Sequence, residues 1–303
     1  EVPAVSVVLL MSAINAVSYG TLVFASPLTS GAPSGTVVWL LSALLAQLGT
    51  LLASDIPNGI ACPMVEMIPI FHGMFLSLES KMPDATAEEI RATCLASCFV
   101  CTISIGLGLL LGTRLGLAEY LRAVPLIVLK GALFGVALFL MSGSLDVASG
   151  GGPLWETRRH WVPAVLLGSL LFVLDEVLHS SVAIAGFLLF VGMAPTALDL
   201  LGLYSLEQLQ EQGWCFPRAH ASQTSAWYAQ LLNTYATSLP DVHWSVILEL
   251  APTVLGIAAS ASLLMLMDLK AVELLTEREF SLNKELRGLG VSNLLSAVCG
   301  GGW

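Results

Sequence analysis

The sequence predicts an all-α integral membrane protein, and its composition leads to that fold class. Of 303 residues, 56% are hydrophobic and only 11% are charged, whereas a soluble surface carries about a quarter or more of charged residues. The apolar excess also excludes a disordered chain. The net charge of −10 excludes nucleic-acid binding through a basic face. Apolar helices that cross a bilayer are therefore the expected elements.

The apolar runs divide at polar residues, glycines and prolines into eight predicted membrane spans. A transmembrane helix needs about 20 apolar residues, and short polar links join most of the runs. The predicted spans cover residues 5 to 26, 36 to 53, 60 to 78, 93 to 113, 121 to 142, 161 to 178, 182 to 202 and 244 to 268. A ninth apolar run, from Leu286 to Cys299, breaks off at three glycines and Trp303. This ending predicts a piece of a longer protein.

The stretch from Ser205 to His243 is longer and more polar than the other links. It carries Trp and Tyr residues among polar ones, which is typical of a segment at a membrane face.

Basic residues cluster after the eighth span, at Lys270, Arg278, Lys284 and Arg287. The positive-inside rule predicts that this cluster and the N-terminus are cytosolic.

The third span breaks the apolar pattern most clearly, between Pro57 and His72. Asn58 and Gly59 favour an extended or turning backbone, and Pro63 suits the first position of a helix. A helix that begins inside the membrane directs unpaired N–H groups and a positive dipole end into the protein. Such an end favours an anion. A proline-kinked span without a ligand is the alternative.

Glu66 lies one turn into this predicted half-helix. Its carboxylate is expected to neutralise the helix dipole, take up a proton or pair with a cationic group of a substrate. A structural ion pair with Lys130 of the fifth span is the alternative. His72 is about 240° round the helix from Glu66, so the two do not share a face. An interhelical hydrogen bond is the expected role of His72, ahead of a proton relay.

Polar residues also interrupt the first and eighth spans. Asn15, Ser18 and Tyr19 have the spacing of one helix face. They either line a cavity or form hydrogen bonds between helices. Asp268 stands at the cytosolic end of the eighth span, where an interfacial ion pair with Lys270 is expected.

No motif in the chain indicates an enzyme or a bound cofactor. Nucleotide, metal and nucleophile motifs are missing from the sequence, and the five histidines lack metal-ligand spacing. Cys94, Cys98 and Cys101 have helical spacing within an apolar run, and we expect them to pack in the interior.

Three stretches resemble the transmembrane domain of the sulfate permease (SulP) family of anion transporters. Ile14-Asn-Ala-Val-Ser-Tyr-Gly20 resembles the first-span pattern, with Asn15 in place of a substrate-contacting Gln. The segment 114–125 followed by Lys130-Gly131 is similar to the link into span five. Asn283-Lys-Glu-Leu-Arg-Gly-Leu-Gly-Val-Ser-Asn-Leu-Leu-Ser296 is similar to the segment before span nine.

The resemblance implies a seven-plus-seven inverted-repeat fold with a core and a gate, and a half-helix at span three. Residues 1–243 would then form the first repeat with the following surface segment, and residues 244–303 the start of the second. The tenth span and the cytosolic STAS domain of the family are absent from the chain. Homodimers are common in the family.

The resemblance and the polar residues together give a set of expected site residues. The substrate-binding candidates are Asn15, Ser18, Tyr19, Cys62, Pro63, Met64, Val65 and Glu66. The candidates for coupling or gating are Glu66, Lys130 and Asp268.

Two departures separate the chain from a typical sulfate permease. Leu264 stands where family members often have an acid in span eight, and Asp268 follows one turn later on the same face. The third span looks closest to a divergent branch of fungal vacuoles, which is linked to storage of basic amino acids. Pro63 replaces the first acid of that branch's pattern.

The leading functional hypothesis is a secondary transporter or exchanger of a small anion, such as a sulfate-like oxyanion, bicarbonate or a halide, with an elevator-type mechanism. One alternative is a basic amino-acid transporter of an endomembrane or vacuole, with Glu66 as the counter-charge. Another is a non-transporting membrane scaffold or assembly subunit. The expected partners are a small charged solute, the lipid bilayer, and a second copy or a larger membrane assembly. Either the plasma membrane or an endomembrane fits these features.

Overall fold

In the part of the chain that it describes, the computed structural model consists of helices joined by non-helical links. That part comprises residues 9–10, 12–16, 20, 33–56, 59, 61, 63–116, 119–120, 125–149, 152–215, 239–276 and 280–298. No β-strand occurs within these ranges, which confirms the all-α part of the predicted fold class. The inverted-repeat organisation and its boundary after residue 243 stay predictions.

The helices follow the predicted spans in order. They are α1 (Pro33–Ala53), α2 (Ile68–Lys81), α3 (Ala87–Arg114), α4 (Leu126–Ser149), α5 (Arg158–Leu178), α6 (Ser181–Leu200), α7 (Leu206–Glu211), α8 (Trp244–Glu249), α9 (Ala251–Thr276) and α10 (Leu282–Ala297). Within the described ranges, four stretches are long and apolar enough to cross a membrane, namely Ala87–Arg114, Arg158–Leu178, Val182–Leu200 and Ala251–Glu273. They correspond to the predicted fourth, sixth, seventh and eighth spans. Of the first predicted span, residues 9–10, 12–16 and 20 are described, and all of them are helical.

The chain divides into two compact units, and the division falls within α4. The described residues of Glu1–Ile14 and Ala137–Ser222 belong to the first unit, and those of Asn15–Val136 and Gln223–Trp303 to the second. In the first unit, α5 and α6 form a helical hairpin. Its tight link contains His179 in the left-handed conformation, with φ of 45°. No residue of α5 is fully buried, and many of its apolar side chains are exposed.

The second unit contains the main hydrophobic core. Here α10 packs against both α1 and α3, and α9 packs against α3. The largest buried side chains include those of Trp39, Met67, Phe71, Ile105 and Leu286. These residues lie on five different elements, so the core ties together segments that are far apart in sequence.

Close contact between α3 and α10 depends on two glycines. A Cβ atom on Gly290 would lie 2.9 Å from Cγ of Leu110 and 3.1 Å from the backbone oxygen of Gly106. A Cβ atom on Gly106 would lie 3.0 Å from the backbone oxygen of Gly290. Small residues allow helices in membranes to approach backbone to backbone, and these two glycines set the distance between α3 and α10.

The cysteines of α3 lie inside the same core. Cys94, Cys98 and Cys101 are buried and reduced. The Sγ atom of Cys101 is 3.9 Å from the Sδ atom of Met74 on α2. Their prediction as packing residues is confirmed.

Candidate functional site

A cavity of about 420 Å³ lies within the second unit, where the segment before α2 meets α1, α9 and α10. Most of its lining is apolar side chain or backbone. The polar side chains that line it are those of Thr50, Ser54, Glu66, Asp268, Glu285, Ser292 and Asn293. Ligand sites commonly combine a mainly apolar wall with a few polar groups and have volumes of about 300–1,000 Å³. The cavity is therefore the candidate binding site.

One side of the cavity is the non-helical segment of the third span. The side-chain amide of Gln47 holds this segment against α1, because its Nε2 donates to the backbone oxygen of Gly59 at 3.0 Å and its Oε1 accepts from the N–H of Ala61 at 2.8 Å. A backbone without helical hydrogen bonds is tolerated within a membrane protein only where such partners exist. Gln47 supplies two of them.

The helix of the third span begins later than the sequence predicted. A 3-10 turn covers Val65–Met67, and α2 starts at Ile68. Pro63 is buried and precedes both elements, so its prediction as the first helical residue is wrong. Met64 and Met67, which precede the two helical elements, make no side-chain capping hydrogen bond.

Two carboxylates from different elements face the same cavity. Glu66 comes from the 3-10 turn and is half-buried, whereas Asp268 comes from α9 and is exposed. The two side chains are close enough to interact electrostatically. No lysine or arginine within the described ranges lines the cavity. Its charge is therefore negative.

The predicted ion pairs of these two carboxylates are not formed. Lys130 is exposed on α4 and makes no ion pair with Glu66 in the described part of the chain. Lys270 pairs with Glu273 at 2.7 Å instead of with Asp268. Residues three apart lie on the same helix face, whereas residues two apart do not. Lys270 therefore pairs with Glu273 rather than with Asp268.

Glu285 is a third carboxylate of the lining, and protein groups already occupy it. The residue is 2% exposed. Its Oε2 accepts from the hydroxyl of Ser54 at 2.5 Å, and its Oε1 accepts from the N–H of Asp55 at 2.6 Å. Lys284 beside it pairs with Asp55. Glu285 thus joins the first turn of α10 to the end of α1.

Two neutral residues of α10 complete the cavity wall. Ser292 is 2% exposed and Asn293 is 5% exposed. Neither Oγ of Ser292 nor Oδ1 of Asn293 has a hydrogen-bond partner among the described residues. A buried polar atom without a partner is destabilising by about 1–3 kcal/mol. The Oγ atom of Ser292 packs against Gly49 of α1, which does not line the cavity.

The structure brings together some of the expected site residues. Pro63, Met64, Val65, Glu66 and Asp268 line one cavity. Lys130 and the half-buried Asn15 do not line it. The remaining candidates lie outside the described residues, namely Ser18, Tyr19 and Cys62.

Glu285, Ser292 and Asn293 were not among the site residues predicted from the sequence. All three stand in the stretch 283–296, which served only as evidence of resemblance. An acid next to an apolar run was the available signal for Glu285. Ser292 and Asn293 gave no comparable signal, because small polar residues commonly bridge membrane helices.

His72 was expected to form a hydrogen bond, but its buried Nδ1 has no partner among the described residues.

Comparisons with known proteins give one relative. The chain is similar to the vacuolar basic amino acid transporter VSB1 of Saccharomyces cerevisiae, with 25% identity over an alignment of 324 residues. The alignment covers 98% of this chain and 30% of that protein, so the chain spans less than a third of its relative. No family model matches the chain, and no solved structure matches it.

These findings correct the expected family. The assignment to the sulfate permease family is wrong, because no model of that family matches and the relative is a basic amino acid transporter. The helices of spanning length and this relative together show a multi-pass membrane protein.

Proposed function

We propose that this chain contributes the solute site of a membrane transporter for basic amino acids. The observation that carries the proposal is the acidic cavity, in which Glu66 and Asp268 are close together without a lysine or arginine in the described lining. Two such carboxylates attract a cation and repel an anion. This charge favours a cationic solute over the anion that was the leading hypothesis from the sequence.

The shape of the cavity supports the same proposal. A volume of about 420 Å³ lies in the range that drug-sized and amino-acid-sized ligands occupy. The apolar wall from α9 includes Met265, Leu269 and Val272, which suits the methylene chain of a lysine or arginine. The carboxylates then pair with its charged end.

The relative supports the solute class. VSB1 is described as a vacuolar basic amino acid transporter, and a vacuolar or other endomembrane location is proposed here with the function. Because the chain matches 30% of that protein, the activity is proposed for the complete protein that contains this chain. The elevator-type movement stays a prediction from the resemblance.

Replacement of Glu66 tests the proposal. The complete protein is purified and reconstituted into proteoliposomes, and uptake of radiolabelled arginine is measured. Glu66→Gln keeps the shape of the side chain but removes its charge, so we expect arginine uptake to fall by about tenfold or more. Glu88→Gln is the matched control, because Glu88 is exposed at the start of α3 and does not line the cavity.

Other outcomes would distinguish the remaining hypotheses. Unchanged arginine uptake by Glu66→Gln would contradict the role of this carboxylate. Sulfate uptake without arginine uptake by the wild-type protein would favour the anion transporter. Uptake of neither solute, with the protein correctly folded, would favour the non-transporting scaffold.

A further inference from the structure

We infer that the cavity accepts diamines and polyamines as solutes, and that it binds a diamine more tightly than the amino acid from which the diamine differs by one carboxylate. The inference rests on the proposed function, because it uses the same cavity as the solute site, and it specifies the class of cation. Its evidence is the charge of the described lining, which offers a ligand two accessible carboxylates and no cationic group.

Glu66 and Asp268 are the two carboxylates that a ligand in the cavity can reach. Glu66 is half-buried in the 3-10 turn, and Asp268 is exposed on α9. Because they come from different elements, they present two separate acceptors for charged hydrogen bonds. Glu285 also lines the cavity, but Ser54 and the N–H group of Asp55 already occupy its two oxygens. Two ammonium groups on one ligand match the two remaining carboxylates.

The described basic side chains of α9 and α10 do not face the cavity. Lys270 pairs with Glu273 at 2.7 Å, and Lys284 pairs with Asp55. Neither lysine lines the cavity, and Arg287 does not line it. Burial of an ionised carboxylate in a largely apolar cavity costs free energy unless a cation or a donor pairs with it. The α-carboxylate of an amino acid would lie here without a cationic partner among the described residues.

The start of α2 has few N–H groups for that carboxylate. Pro69, the second residue of the helix, has no N–H group. The N–H groups of Met67 and Ile68 already donate to backbone oxygens of the preceding segment. Glu66 adds a negative charge beside them, which repels an anion. The cavity therefore suits the cationic groups of an amino acid but not its carboxylate.

The groups of a diamine match this lining. Its two ammonium groups pair with the two carboxylates, and its methylene chain packs against the apolar wall of Met265, Leu269 and Val272. Rotation about the methylene bonds lets the ammonium groups adopt a range of separations. Lysine has the same two ammonium groups, but its carboxylate is bonded to the carbon that carries one of them. Glu66 and Asp268 repel that carboxylate, so lysine binds more weakly.

A ligand series on the purified, complete wild-type protein measures this preference. Lysine, cadaverine and pentylamine each displace radiolabelled arginine from the protein. Cadaverine is lysine without its carboxylate, and pentylamine has the same chain with a single ammonium group. We expect cadaverine to bind about tenfold more tightly than either of the other two compounds. Radiolabelled cadaverine should also be taken up into proteoliposomes, which distinguishes a transported solute from an inhibitor.

The outcomes separate the inference from the proposed function. If cadaverine binds no better than lysine or pentylamine, or is not taken up, while arginine is taken up, the inference is overturned and the proposed function is retained. Uptake of cadaverine without arginine would retain the inference and contradict basic amino acids as solutes. Uptake of neither compound would refute the proposed function and the inference with it.

A variant assigns one of the two ammonium groups to Asp268. Asp268→Asn keeps the shape of the side chain but removes its charge, so cadaverine and pentylamine should bind to within about twofold of each other. Asp241→Asn is the matched control, because Asp241 is exposed in the 3-10 turn before α8 and does not line the cavity. An undiminished preference for cadaverine in a folded Asp268→Asn protein would overturn the inference. If that variant does not fold, the ligand series on the wild-type protein decides.

Discussion

Glu285 shows how a single side chain can connect distant parts of the chain. It is 2% exposed and accepts hydrogen bonds from Ser54 and Asp55, more than 200 positions earlier. Hydrogen bonds to an ionised group contribute about 1.5–3 kcal/mol each, and losing the carboxylate removes both of these bonds. The residue is thus a structural part of the cavity wall rather than a ligand group.

Replacement of Glu285 is therefore expected to destabilise the protein. Glu285→Ala should lower the free energy of unfolding by about 2–4 kcal/mol, which thermal denaturation of the detergent-solubilised protein would measure as a lower melting temperature. Asp84→Ala serves as the control, since Asp84 lies exposed in the turn between α2 and α3. An unchanged melting temperature in Glu285→Ala would show that these hydrogen bonds are dispensable.

At the residue scale, the sequence predicted part of the site. Glu66 was recognisable because an acid in an apolar run is rare and costs free energy in a bilayer. The alternative, a pair with Lys130, is not formed, because the partner of a side chain depends on how the helices pack. The same dependence concealed Asn293, whose free oxygen becomes evident only when Leu289 and Met265 are seen to occupy its amide nitrogen.

At the scale of elements, the lengths of the apolar runs predicted where the helices lie better than they predicted the first residue of each helix. α3 starts at Ala87 rather than at residue 93, because Thr86 and Glu89 form a reciprocal capping box. The α2 helix starts at Ile68 rather than at Pro63, because Gln47 on another helix supplies hydrogen bonds to the preceding segment. The first signal is local and was present in the sequence, whereas the second requires the tertiary fold.

The packing of α10 against α3 gives a prediction about an element. Gly290→Leu should destabilise the protein by about 1–3 kcal/mol or more, because a side chain there would collide with Leu110 and the backbone of Gly106. Gly256→Leu on α9 is the matched control, since a Cβ atom at Gly256 meets no atom within 4 Å. Melting temperatures of the two variants would be compared, and equal values would contradict a close α3 and α10 contact.

At the scale of the whole molecule, the two units differ in how far they bury their apolar side chains. The second unit has an extended core, whereas α5 of the first unit has no buried residue. Leu170 and Phe172 on α5 are 48% and 70% exposed. Without a bilayer such a surface would aggregate, so lipid is expected to cover it. The order of the spans was predictable from sequence, but the concentration of core packing in one unit was not.

Spin labels test the lipid exposure of α5. Single labels at Leu170→Cys and Phe172→Cys, in a background without other cysteines, should show high accessibility to dissolved oxygen and low accessibility to a polar nickel complex, since oxygen concentrates in lipid. A label at Asp84→Cys is the control for a hydrated position, because Asp84 is exposed in the turn between α2 and α3. High nickel accessibility along α5 would show that water rather than lipid covers this helix.

The link between Gln47 and the non-helical segment has one more consequence. A primary amide has no protonation equilibrium in the physiological range and carries no net charge, so its two hydrogen bonds do not depend on acidity or on ionic strength. An ion pair in this place would weaken in salt. The segment beside the cavity therefore keeps the same attachment to α1 in an acidic compartment and in a neutral one, and any response of the site to pH must come from its carboxylates.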